Sequence, residues 1–229
     1  MFNRIFIGEV MKKNNYLLLI ALFAFLSFLP ASLFSQEEIN KLIEGNERYV
    51  TEKILQKDFV HERSALLSGQ KPYAIVLTCS DSRVPPEYIF DESLGQLFVI
   101  RVAGNIVNPD IIGSIEYAVE HLHSHLLIVM GHEKCGAVKA TIEGGKVPPN
   151  IGAIAYKIKP AVKEAKKHSH DEEEILNEAI KINVKNQIEA SLKNSHILKE
   201  EFEKGELKIY EAFYNLHTGK VTFNQYLHK

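Results

Sequence analysis

Two short polar loops, each directly after a short apolar run, contain the only two cysteines of this 229-residue chain. The run Tyr73–Thr78 leads into CSDSRV, which begins at Cys79, and the run Leu126–Met130 leads into GHEKCGAV, which contains Cys135. Apolar runs of this length, bounded by polar residues, are typical of buried parallel strands. In open parallel sheets, ligands bind just beyond the carboxyl ends of the strands. We therefore expect the two loops, although distant in the sequence, to form one site.

The residues around both cysteines favour a metal site. His132 precedes Cys135 by three positions. Asp81 and Arg83 follow Cys79 by two and four positions. Zinc binds cysteine sulfur and histidine nitrogen tetrahedrally, and a set of two cysteines and one histidine leaves one position open for chemistry. A carboxylate such as Asp81 can orient water at that position, and Arg83 can hold the carboxylate away from the metal with a two-pronged hydrogen bond. The sequence therefore predicts a zinc site with a catalytic carboxylate beside it.

The first 35 residues have the pattern of a signal peptide. Lys12 and Lys13 precede an almost purely apolar run, Tyr16–Leu29, which is followed by small residues. The run is shorter than the roughly 18 residues expected of a membrane-spanning helix, which favours a cleaved signal peptide over an uncleaved anchor. We therefore predict a signal peptide at 1–35, with several possible cleavage positions, and a single domain at 36–229. The mature chain is then expected to be exported, to a bacterial periplasm, with no membrane span.

Three other interpretations are open from the residues alone. Two cysteines in an exported protein form a disulfide by default, which predicts no free thiols. A structural zinc site leaves Asp81 and Arg83 without a role, and it predicts unfolding on zinc removal with no activity to lose. A hydrolase that uses Cys79 or Cys135 as nucleophile with His132 predicts sensitivity to alkylation without metal dependence. Free thiols, bound zinc and the effect of alkylation distinguish these interpretations.

The order of the predicted elements is largely strand, helix, strand, which indicates an α/β fold with a central, mostly parallel sheet flanked by helices. Asn108 and Pro109 are a favourable cap and first residue for the helix after the second strand. A helix around 151–166 is expected to be disturbed by Pro160. Two alternating segments joined around 217–219 predict a terminal hairpin. The net charge of −2 gives no electrostatic footprint for nucleic acid, so we expect no nucleic-acid partner.

Four segments, in order and at the usual separations, resemble the β-class carbonic anhydrases: CSDSRV, LFVIRVAGN, GSIEYAVEHL and GHEKCGAV. The resemblance covers nearly all of the chain after the predicted signal peptide. It implies that the zinc ligands are Cys79, His132 and Cys135, with one Zn²⁺ per chain. It implies that the catalytic aspartate–arginine dyad is Asp81 and Arg83. It also implies amino-terminal helices that pack on a partner subunit, in a homodimer or a tetramer.

The same resemblance implies a zinc lyase, a carbonate dehydratase, that reversibly hydrates carbon dioxide to bicarbonate and a proton. In the implied mechanism, zinc-bound hydroxide attacks carbon dioxide, Asp81 accepts a hydrogen bond from that hydroxide, and Arg83 fixes Asp81. In a closed state, Asp81 becomes a fourth zinc ligand. Gly104, Asn105 and Gly136 are implied to line the substrate cleft, although Gly104 and Asn105 also suit turn and packing roles. The chain has no tryptophan, which argues against the separate inhibitory bicarbonate pocket of some members.

Overall fold

A mostly parallel sheet runs through the centre of the structure. A computed structural model describes residues 31–227 of the chain, with side chains from residue 36 onwards. Within that part of the chain the strands are Ala74–Thr78 (β1), Leu97–Arg101 (β2), Leu126–His132 (β3), Lys208–Tyr214 (β4) and Val221–Gln225 (β5). Their order in the sheet is β2-β1-β3-β4-β5, with β2, β1, β3 and β4 parallel and β5 antiparallel to β4. The predicted α/β fold and the terminal hairpin are confirmed.

The two central strands are buried along their whole length. Every residue of β1 and of β3 is buried, as expected of parallel strands that are covered on both faces. The register pairs Thr78 of β1 with Met130 of β3. Cys79 therefore leaves the sheet beside Gly131 and His132. The two loops thus begin at the same carboxyl edge, where the sequence predicted that they would meet.

Helices surround the sheet, and several begin at side-chain caps, of which the sequence predicts the one at Asn108. Asn108 Oδ1 accepts a hydrogen bond from the Ile111 N–H at 2.9 Å, and Asp171 caps the long helix near the carboxyl terminus in the same way. The described helices are Ala31–Val50 (α1), Phe59–Ala65 (α2), Pro86–Ile89 (α3), Pro109–Leu122 (α4), Gly136–Glu143 (α5), Pro149–Ala165 (α6), Glu172–Asn194 (α7) and His196–Glu203 (α8), with a 3-10 turn at Ala103–Asn105.

The hydrophobic core lies on both sides of the sheet because alternate residues of a strand point to opposite faces. On one side, Val76 of β1 belongs to a cluster with residues of α1, α6 and α7. On the other side, Leu77 belongs to a cluster with residues of α4, α7 and α8. Ile39 and Leu42 of α1 are buried in the first cluster, so one face of α1 packs on this chain's own core. Packing of the amino-terminal helices on a partner subunit stays a prediction.

The structure differs from the sequence prediction at one helix and at one strand end. The predicted disturbance at Pro160 does not interrupt the helix, because α6 continues through this residue. Pro160 removes the hydrogen bond to the carbonyl of Tyr156, and Tyr156 lies on the exposed side of α6, where water can satisfy that carbonyl. The strand β3 continues beyond Met130 because Gly131 and His132 still pair with β4.

The predicted signal peptide at 1–35 lies almost entirely outside the described residues, so it stays a prediction, as does the export that it implies. The chain from Ser35 to Lys229 forms one compact unit. No helix between residues 31 and 227 is both long enough and apolar enough to cross a membrane.

A buried carboxylate, that of Asp91, anchors the end of α1 and the segment after it to the loop before β2. Arg48 Nε lies 2.6 Å and Lys57 Nζ 2.7 Å from its oxygens, and the Leu55 N–H donates to it at 3.1 Å. Burial acts to raise the pKa of Asp91, but the hydrogen bonds from Arg48 and Lys57 outweigh burial and lower the pKa overall. The carboxylate therefore stabilises the fold when it is ionised.

We expect Asp91→Asn to lower the free energy of unfolding by about 3 kcal/mol at pH 7, because two cations lose their shared counter-charge. The pKa of Asp91 is lower in the folded than in the unfolded chain. The stabilisation is therefore complete above the ordinary value of 3.8 and is lost as pH falls through the folded pKa. Urea unfolding at pH 7 and pH 3 should show a large difference from wild type at pH 7 and a smaller one at pH 3.

Glu87→Gln, on the exposed side of α3, is the matched control and should change stability by less than about 0.5 kcal/mol. Replacing Asp91 by asparagine adds no backbone strain, because asparagine tolerates the positive φ of 48° at this position as well as aspartate does. An equal destabilisation at both pH values would contradict the electrostatic role of Asp91.

Candidate metal centre

Cys79 is the first residue after β1, and its side chain is turned into the protein. The residue is only 5% exposed. The Gly104 N–H donates a hydrogen bond to Cys79 Sγ over 3.3 Å. An N–H group directed at sulfur in a buried site favours the thiolate, which is the form of cysteine that binds metals.

His132 and Cys135 are presented by the end of β3 and the start of α5. His132 Nδ1 lies 2.9 Å from the carbonyl oxygen of Glu133. Because a carbonyl only accepts hydrogen bonds, this contact assigns the proton to Nδ1 and leaves Nε2 as an acceptor. His132 Nε2 is buried and has no hydrogen-bond partner among the described residues. Cys135, also buried, is the cap residue of α5.

The donor atoms of Cys79, His132 and Cys135 all lie within 4.8 Å of one another. Tetrahedral zinc with sulfur and nitrogen ligands holds its donor atoms about 3.5–3.8 Å apart, so small side-chain movements suffice to close the set around one ion. A buried acceptor without a donor, such as His132 Nε2, is unfavourable unless another group binds it. Neither cysteine forms a disulfide in the structure. The three residues that the sequence predicted as ligands are therefore brought together, and their chemistry fits zinc.

The two sulfurs of the site shift each other's pKa in opposite directions. A hydrogen bond from Cys135 lowers the pKa of Cys79 to about 4 against the opposing effect of burial, and the Gly104 N–H contributes in the same direction. The hydrogen bond to Cys79 and burial raise the pKa of Cys135. Without a metal, Cys79 therefore loses its proton more readily than Cys135. A divalent cation stabilises both sulfurs as thiolates, and its binding releases the remaining proton.

Asp81 and Arg83 form a close ion pair beside the three donors. Arg83 Nε donates to Asp81 Oδ1 at 2.9 Å and Arg83 Nη2 to Oδ2 at 2.7 Å. These hydrogen bonds hold the pKa of Asp81 near 2 although the carboxylate is only 18% exposed. Asp81 Oδ2 lies 4.0 Å from His132 Nε2. The carboxylate is therefore next to the donor set while Arg83 engages both of its oxygens.

Sequence reasoning missed Arg101, whose side chain hydrogen-bonds to the backbone of the loop that begins at Cys79. Arg101 is the last residue of β2 and pairs in register with Thr78. Its Nε donates to the carbonyl of Cys79 at 3.0 Å and its Nη2 to the carbonyl of Asp81 at 2.5 Å. The available signal was an arginine that ends an otherwise apolar strand, since such a charge needs a partner at the strand end.

The three predicted cleft residues lie in different surroundings. Gly104 is buried with a φ of 69°, and an added Cβ would lie 2.6 Å from Ile158 Cδ1, so this position requires glycine. Asn105 is buried, and its Nδ2 has no hydrogen-bond partner in the part of the chain that the structure describes. Gly136 is exposed, with open space where a Cβ would lie. Gly104 contacts a metal donor directly, and a role in lining a substrate cleft stays a prediction for all three.

Comparison with known sequences places the chain in a family. The family model described as carbonic anhydrase matches residues 74–221, which include all three donors. Carbonic anhydrase 2 of Mycobacterium tuberculosis is 42% identical over 126 residues, which are 53% of this chain and 61% of that relative. The match thus spans about three fifths of that relative's length. Carbonic anhydrase of Pseudomonas aeruginosa is 32% identical over 179 residues, which are 72% of this chain and 81% of that relative.

Solved structures agree with the sequence comparison. A structure described as one of two tetrameric β-carbonic anhydrases from Sordaria macrospora has a TM-score of 0.67 and 26% identity, and the match covers 73% of this chain and 89% of that one. The Coccomyxa β-carbonic anhydrase in complex with acetazolamide has a TM-score of 0.64 and 26% identity, with coverage of 79% and 83%. The chain therefore belongs to the β-class carbonic anhydrases. The resemblance found in the sequence is confirmed at the level of the family.

Proposed function

We propose that this protein is a zinc-dependent carbonic anhydrase that reversibly hydrates carbon dioxide to bicarbonate and a proton. The observation that supports this function most directly is the buried set of Cys79, His132 and Cys135 with the Asp81–Arg83 pair beside it. A structural zinc site does not require an ionised carboxylate next to its ligands. A cysteine hydrolase does not require a second buried sulfur beside the nucleophile.

Three residues would hold the zinc ion: Cys79 and Cys135 through sulfur, and His132 through Nε2. This set leaves one coordination position, as in catalytic rather than structural zinc sites. Zinc in such a site lowers the pKa of water towards neutrality and so supplies a nucleophile at physiological pH. Glu133 keeps the proton of His132 on Nδ1 through its carbonyl oxygen, so that Nε2 stays available to the metal.

Asp81 would orient the reacting water. Its carboxylate is ionised, so it can only accept a hydrogen bond, and an oxygen that donates to Asp81 Oδ2 keeps its lone pairs for carbon dioxide. Arg83 holds both oxygens of Asp81, which limits the rotation of the carboxylate and opposes its movement onto the metal. Arg101 donates a hydrogen bond to the backbone carbonyl of Asp81 and so restrains this residue, which positions the carboxylate before substrate binds.

The test is stopped-flow carbon dioxide hydration by the chain from Gln36 onwards, with zinc content measured on the same sample. We expect about one zinc per chain, and activity that disappears with a chelator and returns with zinc. Zinc without hydration across neutral to alkaline pH would support a structural metal or a site closed by Asp81. A protein with neither zinc nor free thiols would support the disulfide interpretation. Activity that is lost on alkylation but unaffected by a chelator would support a cysteine nucleophile.

We also propose that the chain assembles as a homodimer or a tetramer. The strand β2 is at the edge of the sheet, and its residues Leu97, Phe98 and Val99 are only half-buried. Tyr117, whose ring lies 6.3 Å from that of Phe98, is 48% exposed. A free strand edge with exposed apolar side chains favours association with another chain. Light scattering on the sample used for the activity assay tests this, and a monomer at micromolar concentration would contradict it.

Export is proposed on the pattern of the first 35 residues alone. Lysines followed by a short apolar run and small residues support a signal peptide at 1–35. Expression of the full chain in a bacterium, followed by mass determination of the protein in the periplasmic fraction, tests the proposal. A full-length chain in the cytoplasmic or membrane fraction would contradict it.

A further inference from the structure

We propose that Asn183 and Gln187, two buried residues of α7, are positioning residues that hold the Gly104 N–H on the sulfur of Cys79. The proposal deepens the proposed function and rests on it only in taking Cys79 as a metal ligand. Neither residue touches the donor atoms. Their effect on the site would pass through the backbone of the 3-10 turn and the residues just after it.

The contacts form a continuous path from α7 to the sulfur. Asn183 Nδ2 donates to the carbonyl of Gly104 at 2.9 Å. Gln187 Nε2 donates to Asn183 Oδ1 at 3.0 Å, and Gln187 Oε1 accepts from the Val107 N–H at 2.9 Å. The segment from Gly104 to Val107 is therefore held at both ends by two side chains of one helix. At its beginning, the Gly104 N–H donates to Cys79 Sγ.

Glycine at position 104 makes this external support necessary. Glycine has no side chain and the largest conformational freedom of all residues, so it does little to fix the direction of its own N–H. Any other residue would be strained here, because φ is 69° and a Cβ would lie 2.6 Å from Ile158 Cδ1 and 3.3 Å from Ala137 Cβ. The close packing against α5 and α6 thus excludes a stiffer residue. The hydrogen bond from Asn183 restrains the carbonyl instead, and with it the backbone angles of Gly104.

The chemical character of Asn183 and Gln187 is unusual for their location. Both are buried, on a helix whose neighbouring positions Val184 and Ile188 belong to the hydrophobic core. Burying amide side chains is unfavourable unless every polar atom is paired, and apolar residues would serve packing alone at lower cost. Here each amide side chain hydrogen-bonds to the backbone between Gly104 and Val107, and the two amides hydrogen-bond to each other. This arrangement points to a requirement of that backbone rather than of the core.

A hydrogen bond to a buried sulfur affects metal binding in two ways. It keeps the sulfur in the position that the metal requires, and it withdraws charge from the thiolate. Residues that orient metal ligands through such contacts typically change metal affinity by about 10- to 100-fold when they are replaced. Loss of the N–H contact should also raise the energy of the sulfur electrons. In a cobalt-substituted site, the sulfur-to-cobalt charge-transfer band should then move to longer wavelength.

The test replaces Asn183 by leucine, which has a similar size but donates no hydrogen bond. We expect Asn183→Leu to weaken zinc binding by about 10- to 100-fold in competition with a chromophoric chelator, and to move the cobalt charge-transfer band to longer wavelength. Gln187→Met, a milder change, should shift both readouts in the same direction by less. It keeps the test decisive if Asn183→Leu does not fold.

Ser191→Ala is the matched control. Ser191 is buried on the same helix, one turn further along, and its hydroxyl donates to the Gln187 carbonyl without reaching the Gly104 segment. This variant should lose some stability and leave the zinc affinity and the cobalt band unchanged. Wild-type affinity and an unshifted band in folded Asn183→Leu, or in Gln187→Met, would overturn the proposal.

The outcomes separate this proposal from the proposed function, because neither readout is an activity. A wild-type protein that binds zinc but does not hydrate carbon dioxide would contradict the proposed function. The zinc affinity and the cobalt band of the variants would still decide the positioning role. A wild-type protein that binds neither zinc nor cobalt would overturn both.

Discussion

The Cys135→Ala variant should lose its zinc and its carbon dioxide hydration together. Removal of this thiolate leaves Cys79 and His132 as the donors of the buried set. Four-ligand zinc sites bind with apparent free energies of about 10–16 kcal/mol, so one ligand contributes on the order of 3 kcal/mol and its loss weakens binding by at least ~100-fold. Zinc measured after dialysis against a weak chelator should therefore fall from about one per chain to a small fraction. Hydration activity should fall in proportion.

Lys139→Ala provides the matched control for this change. Lys139 lies on the same helix, α5, and its side chain is 65% exposed. The variant should keep its zinc and its activity, since exposed substitutions of this kind usually change stability by no more than about 0.5 kcal/mol. Circular dichroism of both variants separates loss of the metal from loss of the fold. Stoichiometric zinc in folded Cys135→Ala would mean that Cys135 is not a ligand.

The two strands that lead into the site could be predicted because their sequences fit few other secondary structures. The apolar runs that become β1 and β3 are too short for helices of ordinary length and carry no alternation, which is the pattern of strands buried on both faces. The edge at which their loops meet follows from the geometry of any open parallel sheet. Local caps, such as Asn108 before Pro109, were predictable for a similar reason, because each depends on three or four adjacent residues.

Contacts between distant segments could not be predicted in this way. Asn183 and Gln187 reach the segment of Gly104 and Val107 from about 80 positions further along the chain. Their place on the buried side of α7 depends on how the whole helix packs. Arg101 reaches Cys79 because β2 and β1 pair in a particular register, which the sequence does not specify before the sheet is formed. The unbroken α6 is a similar case, since packing and solvent exposure outweigh the local effect of Pro160.

Asp81→Asn should separate metal binding from catalysis. The asparagine side chain has nearly the same shape, and its oxygen can still accept from Arg83, so we expect the three donors and the zinc content to be unchanged. The other oxygen of the carboxylate becomes an N–H₂ group, which donates hydrogen bonds instead of accepting them. Water at the open position then has no acceptor at Asp81 to orient it. We expect hydration to fall by about 100-fold, mainly in kcat, as for other groups that position a reacting atom.

Ser82→Ala is the matched control for Asp81→Asn, because Ser82 is the exposed residue between Asp81 and Arg83. Ser82→Ala perturbs the same loop without touching the Asp81–Arg83 contacts, so it should keep wild-type zinc and activity. If Asp81→Asn retains zinc and loses activity while Ser82→Ala retains both, the carboxylate acts on the reaction and not on the fold of the loop. Full activity in Asp81→Asn would instead show that the ion pair with Arg83 is structural, and the orienting group would have to be sought elsewhere around the three donors.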